Sequence, residues 1–436
     1  MKLELHWRIL IGLLLGVLVG YFFSLNNLAE ADNPSIGIIE LNHITWMGEV
    51  FLRLLKMIVI PVIMFSLISG VSHLPIKSLG KIGLTTLLVF KGQMLFAAFF
   101  GLFFVNFFRP GDHIDLHKIL DNGGSGEDIH FITESSHGVS EILLSMIPSN
   151  IFEALAHGTL IQIIVFSIII AVALVQVRNG RTILNYIQIA LDAILLITHW
   201  IMELAPYGVF ALITKTVAIG GLSSIADYGY FMMTVIAALA TMLFVFGSLA
   251  VHFFTDFTPL EFFSKMREVM LTAFSTSSSA ATIPVNLKTM EKNFGVPNQV
   301  ASFVIPLGAT MNMNGAAIYE SIVTLFIAQA WLPEPLSIGK QIFVVFMVLL
   351  ATFGTPGIPH GSLVTLAVVF QAVGLPLEAI GVILSIDRIL DMARTMVNVS
   401  FDSISCLILN KYAGIESVPP AAQELAQEAA NTPSNF

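Results

Sequence analysis

The stretch that decides the fold is DRILDMARTMVNVSFD, residues 387–402, which lies inside a mostly apolar segment from Ile380 to Leu409. A segment of this length crosses a bilayer, and each charge at the centre of a spanning helix costs on the order of 3 kcal/mol. Its polar side chains share an arc of roughly 80° on an α-helix: Asp387, Asp391, Arg394, Asn398 and Asp402. This charged face predicts a substrate or ion site. The alternative is a self-neutralising ladder of salt bridges, which the surplus of acids over bases on the helix disfavours.

The composition is that of a polytopic membrane protein. The 436-residue chain is 56% hydrophobic and only 11% charged, with a mean hydropathy of +0.85, whereas soluble domains carry about 25% charged residues. The lipid bilayer is therefore an expected partner. The net charge of −9 gives no indication of a nucleic acid partner. The single cysteine, Cys406, allows no intramolecular disulfide.

Eight apolar runs are long enough to cross a bilayer. The first, Ile9–Leu25, is interpreted as a span because no small-residue cleavage site follows it. Lysine and arginine alternate between successive loops, which places both termini in the cytoplasm. The acidic, Pro/Ala-rich residues 414–436 predict a disordered cytoplasmic tail. The seven later runs are Val50–Val71, Gly83–Phe107, Leu160–Val177, Ile183–Ile213, Phe231–Phe254, Val300–Ala328 and Ile380–Leu409.

Two further apolar segments are each interrupted by a short polar tip. Leu271–Leu287 contains Ser275–Pro284, and Phe343–Val373 contains Gly354–Ser362. Irregular backbone is not tolerated in hydrocarbon unless protein or a watery cavity covers it, so a matched pair of interrupted segments points to a binding site at the membrane midplane. Each is followed by a span with a polar insertion, Asn312–Gly315 in the first case and the charged helix in the second. This order suggests an internal repeat; the alternative is two ordinary kinked spans.

Taken in order, these motifs resemble the glutamate transporter family of bacterial type, the dicarboxylate/amino acid:cation symporters. Ser277–Pro284 and Gly354–Ser362 are similar to the tips of the family's two hairpins, Pro306–Gly315 to its unwound seventh span, and Asp391–Asn398 to its ligand helix. The resemblance implies an all-α polytopic membrane protein with eight transmembrane helices, two re-entrant helical hairpins, inverted repeats and an elevator mechanism. It also implies a homotrimeric secondary transporter of the bacterial inner membrane, and no enzyme.

By the same resemblance, the chain divides into a scaffold and a transport domain. The scaffold is expected to hold spans one, two, four and five, and the transport domain the remaining spans and both hairpins. The expected boundaries are 1–79 and 138–228 for the scaffold, 80–137 and 229–413 for the transport domain, 257–295 for hairpin one and 335–373 for hairpin two.

The resemblance also implies an acidic amino acid as substrate. Arg394 would hold the side-chain carboxylate of L-glutamate or L-aspartate, and Asp391 would hold the ammonium. A planar guanidinium binds a carboxylate in bidentate fashion, and an aspartate attracts an ammonium. The other substrate-binding residues would be Ser278 and Ser279 for the α-carboxylate, Thr395 and Asn398 for the remaining polar groups, and Ile358. The alternatives are a C4-dicarboxylate or an atypical amino acid as substrate, the latter because Ala316 replaces a threonine that contacts substrate in the family, and an anion-conducting channel, because some members of the family also pass anions.

Transported cations, and no resident cofactor, are implied for this family. One sodium site matches Gly308, Asn312, Asn398 and Asp402, and a second, built mostly of carbonyl groups, matches Thr310, Met313, Thr352, Phe353 and Thr355. A third site of the family is not kept, because Asn314 stands where the family has aspartate.

Two unusual charged residues complete the set of candidates. Lys91 lies in the middle of the third run, and we hypothesise that its ammonium replaces the missing third sodium ion, with Asn314 balancing the charge; the alternative is a lysine that reaches for the membrane surface. Glu320 falls where proton-coupled members keep a glutamate. Low dielectric favours the neutral carboxylic acid, so Glu320 is a candidate proton carrier; the alternative is a hydrogen-bonded structural glutamate.

Overall fold

The computed structural model describes residues 5–25, 35–36, 39–72, 80–112, 114, 116, 147–220, 223–352, 357, 359 and 361–412. The expected tail, residues 414–436, and most of the loop after the third apolar run lie outside these ranges. Within them the chain is mostly helical and contains several apolar helices. The strands β1 (Ser35–Ile36) and β2 (Ile39–Glu40) form a short antiparallel pair.

The helices are numbered here in chain order. Those of the first half are α1 (Leu5–Leu25), α2 (Asn42–Ser72), α3 (Gly80–Phe108), α4 (Ile151–His157), α5 (Leu160–Gln176), α6 (Gly180–Glu203) and α7 (Ala205–Gly220). Those of the second half are α8 (Ser223–Thr241), which a π-helical turn (Met242–Phe246) joins to α9 (Gly247–Phe254), then α10 (Pro259–Thr276), α11 (Ser279–Phe294), α12 (Asn298–Met311), α13 (Asn314–Trp331), α14 (Ile338–Ala351), α15 (Gly361–Val373) and α16 (Ala379–Tyr412).

Within the described residues, four helical stretches are long and apolar enough to cross a membrane by length and composition: Trp7–Leu25, Leu84–Phe108, Gly180–Glu203 and Tyr228–Phe254. Two of the eight predicted runs are divided. The fifth, expected as one span, ends in α6 at Glu203 and resumes in α7 at Ala205; Pro206 lies in the first turn of α7, where proline is tolerated because its missing N–H would have no partner within the helix. The seventh breaks at Asn312 and Met313.

Three glycines hold α1 against α7. A Cβ atom on Gly12, Gly16 or Gly20 would lie 2.4, 2.7 or 2.7 Å from the carbonyl oxygen of Pro206, Phe210 or Thr214, respectively. Because these contacts advance together along both chains, α1 and α7 run parallel, and only residues without a side chain allow the backbones so close. Arg8 and Glu203 form a salt bridge of 2.7 Å near the start of α1. Helix α2 packs antiparallel to α7, with Phe51 against Gly208 and Leu212 against Gly48.

Helix α16 lies at the centre of a second group of helices. It packs against α8 and α10–α13, and α3 packs along α13 in the same direction, with Gly101 beside Ile318 and Gly111 beside Phe326. Short polar residues begin the helices of the two interrupted segments: Thr258 caps α10, Ser278 caps α11 and Ser337 caps α14 through side-chain oxygens that accept backbone N–H bonds. The charged face of α16 is thereby brought against helix ends.

Candidate functional site

A small cavity lies where the two interrupted segments meet α13 and α16. Its volume of about 10 Å³ holds at most about one water molecule, which is too little space for an amino acid. Five residues of the cavity wall were predicted substrate ligands: Ser279, Asp391, Arg394, Thr395 and Asn398. Asn398 was also predicted in the cation set, as was Met313, which lines the cavity too; the other lining residues are Ser277, Gly357, Gly361 and Ser362.

The tips of the two interrupted segments contact each other through the carbonyl of Gly357. The Ser278 hydroxyl donates to this oxygen over 2.7 Å, and the backbone N–H of Ala280 donates to it over 3.0 Å. Ser278 is therefore occupied by the contact between tips and by capping α11, and it does not line the cavity. Its neighbour Ser277 does, in a left-handed conformation with φ of 52°. Ile358 lies outside the described residues, so its role stays a prediction.

The guanidinium of Arg394 is buried and held by three side chains. Its Nη2 lies 2.6 Å from Asp391 Oδ1, and its Nη1 lies 3.3 Å from Asp387 Oδ1. The Cζ atom of Arg394 lies 4.1 Å from the centre of the Tyr319 ring, and the Tyr319 hydroxyl donates to Asp387 over 2.6 Å. A buried charge is stable only when paired and hydrogen-bonded. Two carboxylates thus share the guanidinium of Arg394 in this cluster.

A second buried carboxylate, Asp402, lies against the end of α12. Its Oδ1 accepts a bond of 3.0 Å from the Asn312 amide and lies 2.6 Å from where a Cβ of Gly308 would be. Among the described residues no basic side chain pairs with Asp402. The structure thus brings together Gly308, Asn312 and Asp402, a set of oxygen ligands suited to a hard cation such as sodium.

Asn398, assigned to the same cation site, has its side chain directed elsewhere. Its Oδ1 accepts from the backbone N–H of Gly315 over 2.7 Å and from that of Ala316 over 3.4 Å, and its amide nitrogen lies 3.3 Å from the sulfur of Met313. Asn398 therefore caps the start of α13, where four N–H groups have no partner within the helix. A Cβ on Gly315 would lie 2.3 Å from the Arg394 carbonyl oxygen, so only glycine allows this approach.

The second predicted cation site is described only in part. The Thr310 hydroxyl donates to Leu307 O over 3.2 Å, and the buried Thr352 hydroxyl donates to Val348 O over 2.7 Å. Both threonines are thus bonded to their own helices through their side chains. Phe353 and Thr355 lie outside the described residues, so this site stays a prediction.

Glu320 is fully buried on α13. Its Oε1 accepts a short hydrogen bond from the Thr365 hydroxyl on α15, and its Oε2 has no hydrogen-bond partner among the described residues. A carboxyl group placed in this way joins α13 to the second interrupted segment. Its contact with a hydroxyl group suits either an ionised or a neutral form, as a proton carrier requires.

Lys91 reaches the break between α12 and α13 from α3. Its Nζ lies 3.3 Å from the carbonyl oxygen of Met311, the last residue of α12, and 3.6 Å from the sulfur of Met94. Asn314 lies at the other side of the break, and its amide donates to Asn312 Oδ1 over 2.8 Å. On the same helix as Lys91, Gln93 accepts a hydrogen bond of 2.9 Å from the Ser405 hydroxyl.

Sequence reasoning assigned no role to four residues that the structure places in the site. Tyr319 and Asp387 hold Arg394, Ser277 lines the cavity, and Thr365 donates to Glu320. Asp387 gave a signal, because it belongs to the charged face of α16. Tyr319 and Thr365 gave none, because each lies in an apolar helix at a spacing that also fits packing.

Broken apolar helices that surround buried charges are typical of a membrane transport protein with its site inside the helix assembly. The model of the sodium:dicarboxylate symporter family matches residues 5–412, and the chain belongs to this family. Among its relatives is a proton/sodium-glutamate symport protein of Geobacillus stearothermophilus, 34% identical over 430 residues, which are 98% of each chain.

Two other kinds of relative carry different printed names. A proton/glutamate-aspartate symporter of Escherichia coli is 31% identical over 417 residues, 94% of this chain and 93% of the relative. A C4-dicarboxylate transport protein of Deinococcus deserti is 31% identical over 413 residues, 94% of this chain and 89% of the relative. The family and these relatives are transporters, not enzymes, and the ions in their names are transported rather than held as cofactors.

Proposed function

We propose that this protein is a secondary active symporter of L-glutamate and L-aspartate, driven by sodium ions, protons or both. The observation that carries the proposal is the buried pair of Arg394 and Asp391 on the wall of one small cavity. An acidic amino acid presents a carboxylate to the first and an ammonium to the second. The names of the full-length relatives in two bacteria support the same substrate class.

Substrate binding exchanges one carboxylate for another on Arg394. In this structure Oδ1 of Asp391 lies 2.6 Å from Nη2 of Arg394. The side-chain carboxylate of the substrate replaces Asp391 there, and Asp391 turns to the substrate ammonium, so each charge keeps a partner throughout. Asp387 and Tyr319 stay on the guanidinium and hold its plane in position. Ser279 and Thr395, also on the cavity wall, serve the α-carboxylate and the remaining polar groups.

Coupling to sodium is assigned to the carboxylate of Asp402 with Asn312 and Gly308. An unpaired buried carboxylate is unfavourable, and a bound cation removes this penalty. Coupling to protons is assigned to Glu320, because it lies near the cavity and joins α13 to the helix after the second tip through Thr365. Neutralising it alters the contact between two elements that surround the substrate.

The tips of the interrupted segments are proposed to close the site from the two sides of the membrane. The Gly357 carbonyl, bonded by Ser278 and Ala280, supports contact between the tips in the closed state. Eight spans, two re-entrant hairpins, an elevator movement of the transport domain on the scaffold, a homotrimer and cytoplasmic termini in the bacterial inner membrane belong to this proposal. The packing of α1, α2 and α7 as one group and of α3 and α8–α16 around α16 supports the division into scaffold and transport domain.

A C4-dicarboxylate is the second candidate substrate, favoured by the name of a 31% identical relative. Asp391 discriminates between the two, because a plain dicarboxylate brings no ammonium to replace the guanidinium as its partner. An acidic amino acid is therefore the better fit. Replacing Asp391 by asparagine should weaken glutamate uptake more than succinate uptake.

The test is uptake of labelled glutamate, aspartate and succinate into proteoliposomes that hold the purified protein, with sodium and proton gradients imposed separately. Accumulation of an acidic amino acid above its external concentration supports the proposal and excludes a simple channel. Sodium-driven uptake that survives in Glu320→Gln assigns coupling to Asp402, whereas proton-driven uptake that this variant abolishes assigns it to Glu320. Accumulation of succinate alone, or of no substrate under either gradient, would overturn the proposed substrate class.

A further inference from the structure

Lys91 is an exception in its helix. It is the only charged residue between Leu84 and Phe108, a stretch long and apolar enough to cross a membrane, and it is half-buried. A lysine at such a position either extends to the membrane surface or finds acceptors inside the protein. Its Nζ is directed inward, 3.3 Å from Met311 O on α12. The inward contact separates it from a lysine that only extends along the lipid boundary.

The acceptor that Lys91 contacts belongs to a helix end. Met311 is the last residue of α12, and the last carbonyl groups of a helix have no partner within it and carry the negative end of the helix dipole. Such carbonyl groups at broken transmembrane helices are cation ligands. The ammonium of Lys91 thus occupies a position suited to a bound metal ion.

A second observation at the same break points to a cation. Asn314 is fully buried, and its Oδ1 has no hydrogen-bond partner among the described residues, although its amide nitrogen donates to Asn312. Asn312 in turn donates to Asp402, whose carboxylate has no basic partner in the part of the chain described. Acceptors and negative charge exceed donors along this chain of contacts. An unpartnered buried oxygen is costly, so the break favours an added donor or cation.

We propose that the ammonium of Lys91 is a resident cation of the transport site, held by Met311 O at the same break as the unpartnered Asn314 Oδ1. It supplies from within the protein a positive charge that would otherwise be bound from solution with each substrate. The inference rests on the proposed cation-coupled transport. As a consequence, the protein transports fewer cations per substrate molecule than it would with the same break and no lysine.

The experiment measures the charge moved per substrate, from the membrane potential at which net glutamate flux into proteoliposomes reverses. Lys91→Met removes the charge and keeps a side chain of similar size. The double variant, Lys91→Met with Asn314→Asp, places a carboxylate where a sodium ion can be bound. Lys91→Arg keeps the charge. Lys215→Met is the matched control, because Lys215 is also a half-buried lysine of an apolar helix, on α7.

We expect Lys91→Met to lose at least about 10-fold in uptake when size-exclusion chromatography shows that the variant is folded. The loss is the effect of leaving buried acceptors unpaired. The double variant should recover uptake with a steeper sodium dependence and move about one more sodium ion per substrate. Lys91→Arg and Lys215→Met should keep the wild-type ratio. A folded Lys91→Met with wild-type rate and ratio, or a folded double variant that stays inactive or keeps the wild-type ratio, would overturn the inference.

The outcomes separate this inference from the proposed function. If the unaltered protein accumulates no acidic amino acid, the proposed function fails before any variant is compared. If it accumulates glutamate and only the Lys91 variants depart from expectation, the proposed function stands and the resident cation fails. Should Lys91→Met not fold, Lys91→Arg and the double variant still decide the result through their ratios.

Discussion

Two regions of this protein solve the same problem, the close packing of helices in a membrane, in opposite ways. The interface of α1 with α7 is made by Gly12, Gly16 and Gly20, which lie directly against backbone carbonyl groups. The break between α12 and α13 is made by amides, carboxylates and a lysine. The glycine interface depends only on the size of a side chain. The break between α12 and α13 depends on a balance of charge, and only such a balance can respond to a bound ion or substrate.

The comparison predicts that removing a charge at the site disrupts function more than adding bulk at the glycine interface. The largest effect is expected for Arg394→Met, which leaves Asp387 and Asp391 without their common partner. Breaking a buried pair costs about 3–5 kcal/mol, so glutamate uptake in proteoliposomes should fall by roughly 100-fold or more. Arg388→Met is the control on the same helix, with an expected loss of less than about 3-fold. Near-normal uptake by Arg394→Met would refute the assigned role.

The next effect concerns the negative charge at the break. Asp402→Asn keeps an oxygen for the bond from Asn312 but removes the carboxylate charge, so the sodium concentration needed for half-maximal uptake should rise about 10- to 100-fold, equivalent to about 1.4–2.8 kcal/mol. Asp256→Asn is the control, because Asp256 is exposed and paired with Lys411. An unchanged sodium requirement in Asp402→Asn would remove this residue from the cation site.

A substitution at the glycine interface should lower the stability of the protein and leave the binding site unchanged. Gly16→Ala places a Cβ 2.7 Å from Phe210 O, and the separation this forces should lower the free energy of unfolding by about 1–3 kcal/mol. Thermal unfolding in detergent measures it, and substrate affinity of the folded fraction should not change. Gly339→Ala, which meets no neighbouring atom within 4 Å, is the control. A change in affinity without loss of stability would contradict the proposed separation of the two regions.

The smallest effect tests how finely the site is positioned. Tyr319→Phe removes the 2.6 Å bond to Asp387 but keeps the ring beside Arg394. One hydrogen bond to a charged group contributes about 1.5–3 kcal/mol. The contact between the ring and the Arg394 guanidinium is unchanged and offsets part of this loss. The substrate concentration for half-maximal uptake should therefore rise about 5-fold. Since Tyr319 acts through Arg394, the maximal rate should change less than this concentration.

Much of the site followed from sequence because the membrane restricts where polar residues occur. The charged face of α16, the break at Asn312 and the tip at Ser277 and Ser278 are each a departure from an apolar pattern, and the structure places all three around the cavity or next to it. The division of the fifth run at Glu203 was missed, because α6 and α7 are both apolar. Periodicity does not distinguish one long helix from two in sequence.

The sequence by itself determined the class of protein and the helix that carries the charges, because an apolar solvent makes every polar or broken segment informative. The tertiary structure alone decided the partners. Asp387 and Tyr319 hold Arg394, Gly357 joins the two tips, and Lys91 contacts the end of α12. Except for Asp387 and Arg394, which lie on the same helix, these contacts join residues far apart in the chain, and two of them end on backbone carbonyl oxygens. Every residue carries such an oxygen, so residue type and spacing do not specify which one is used.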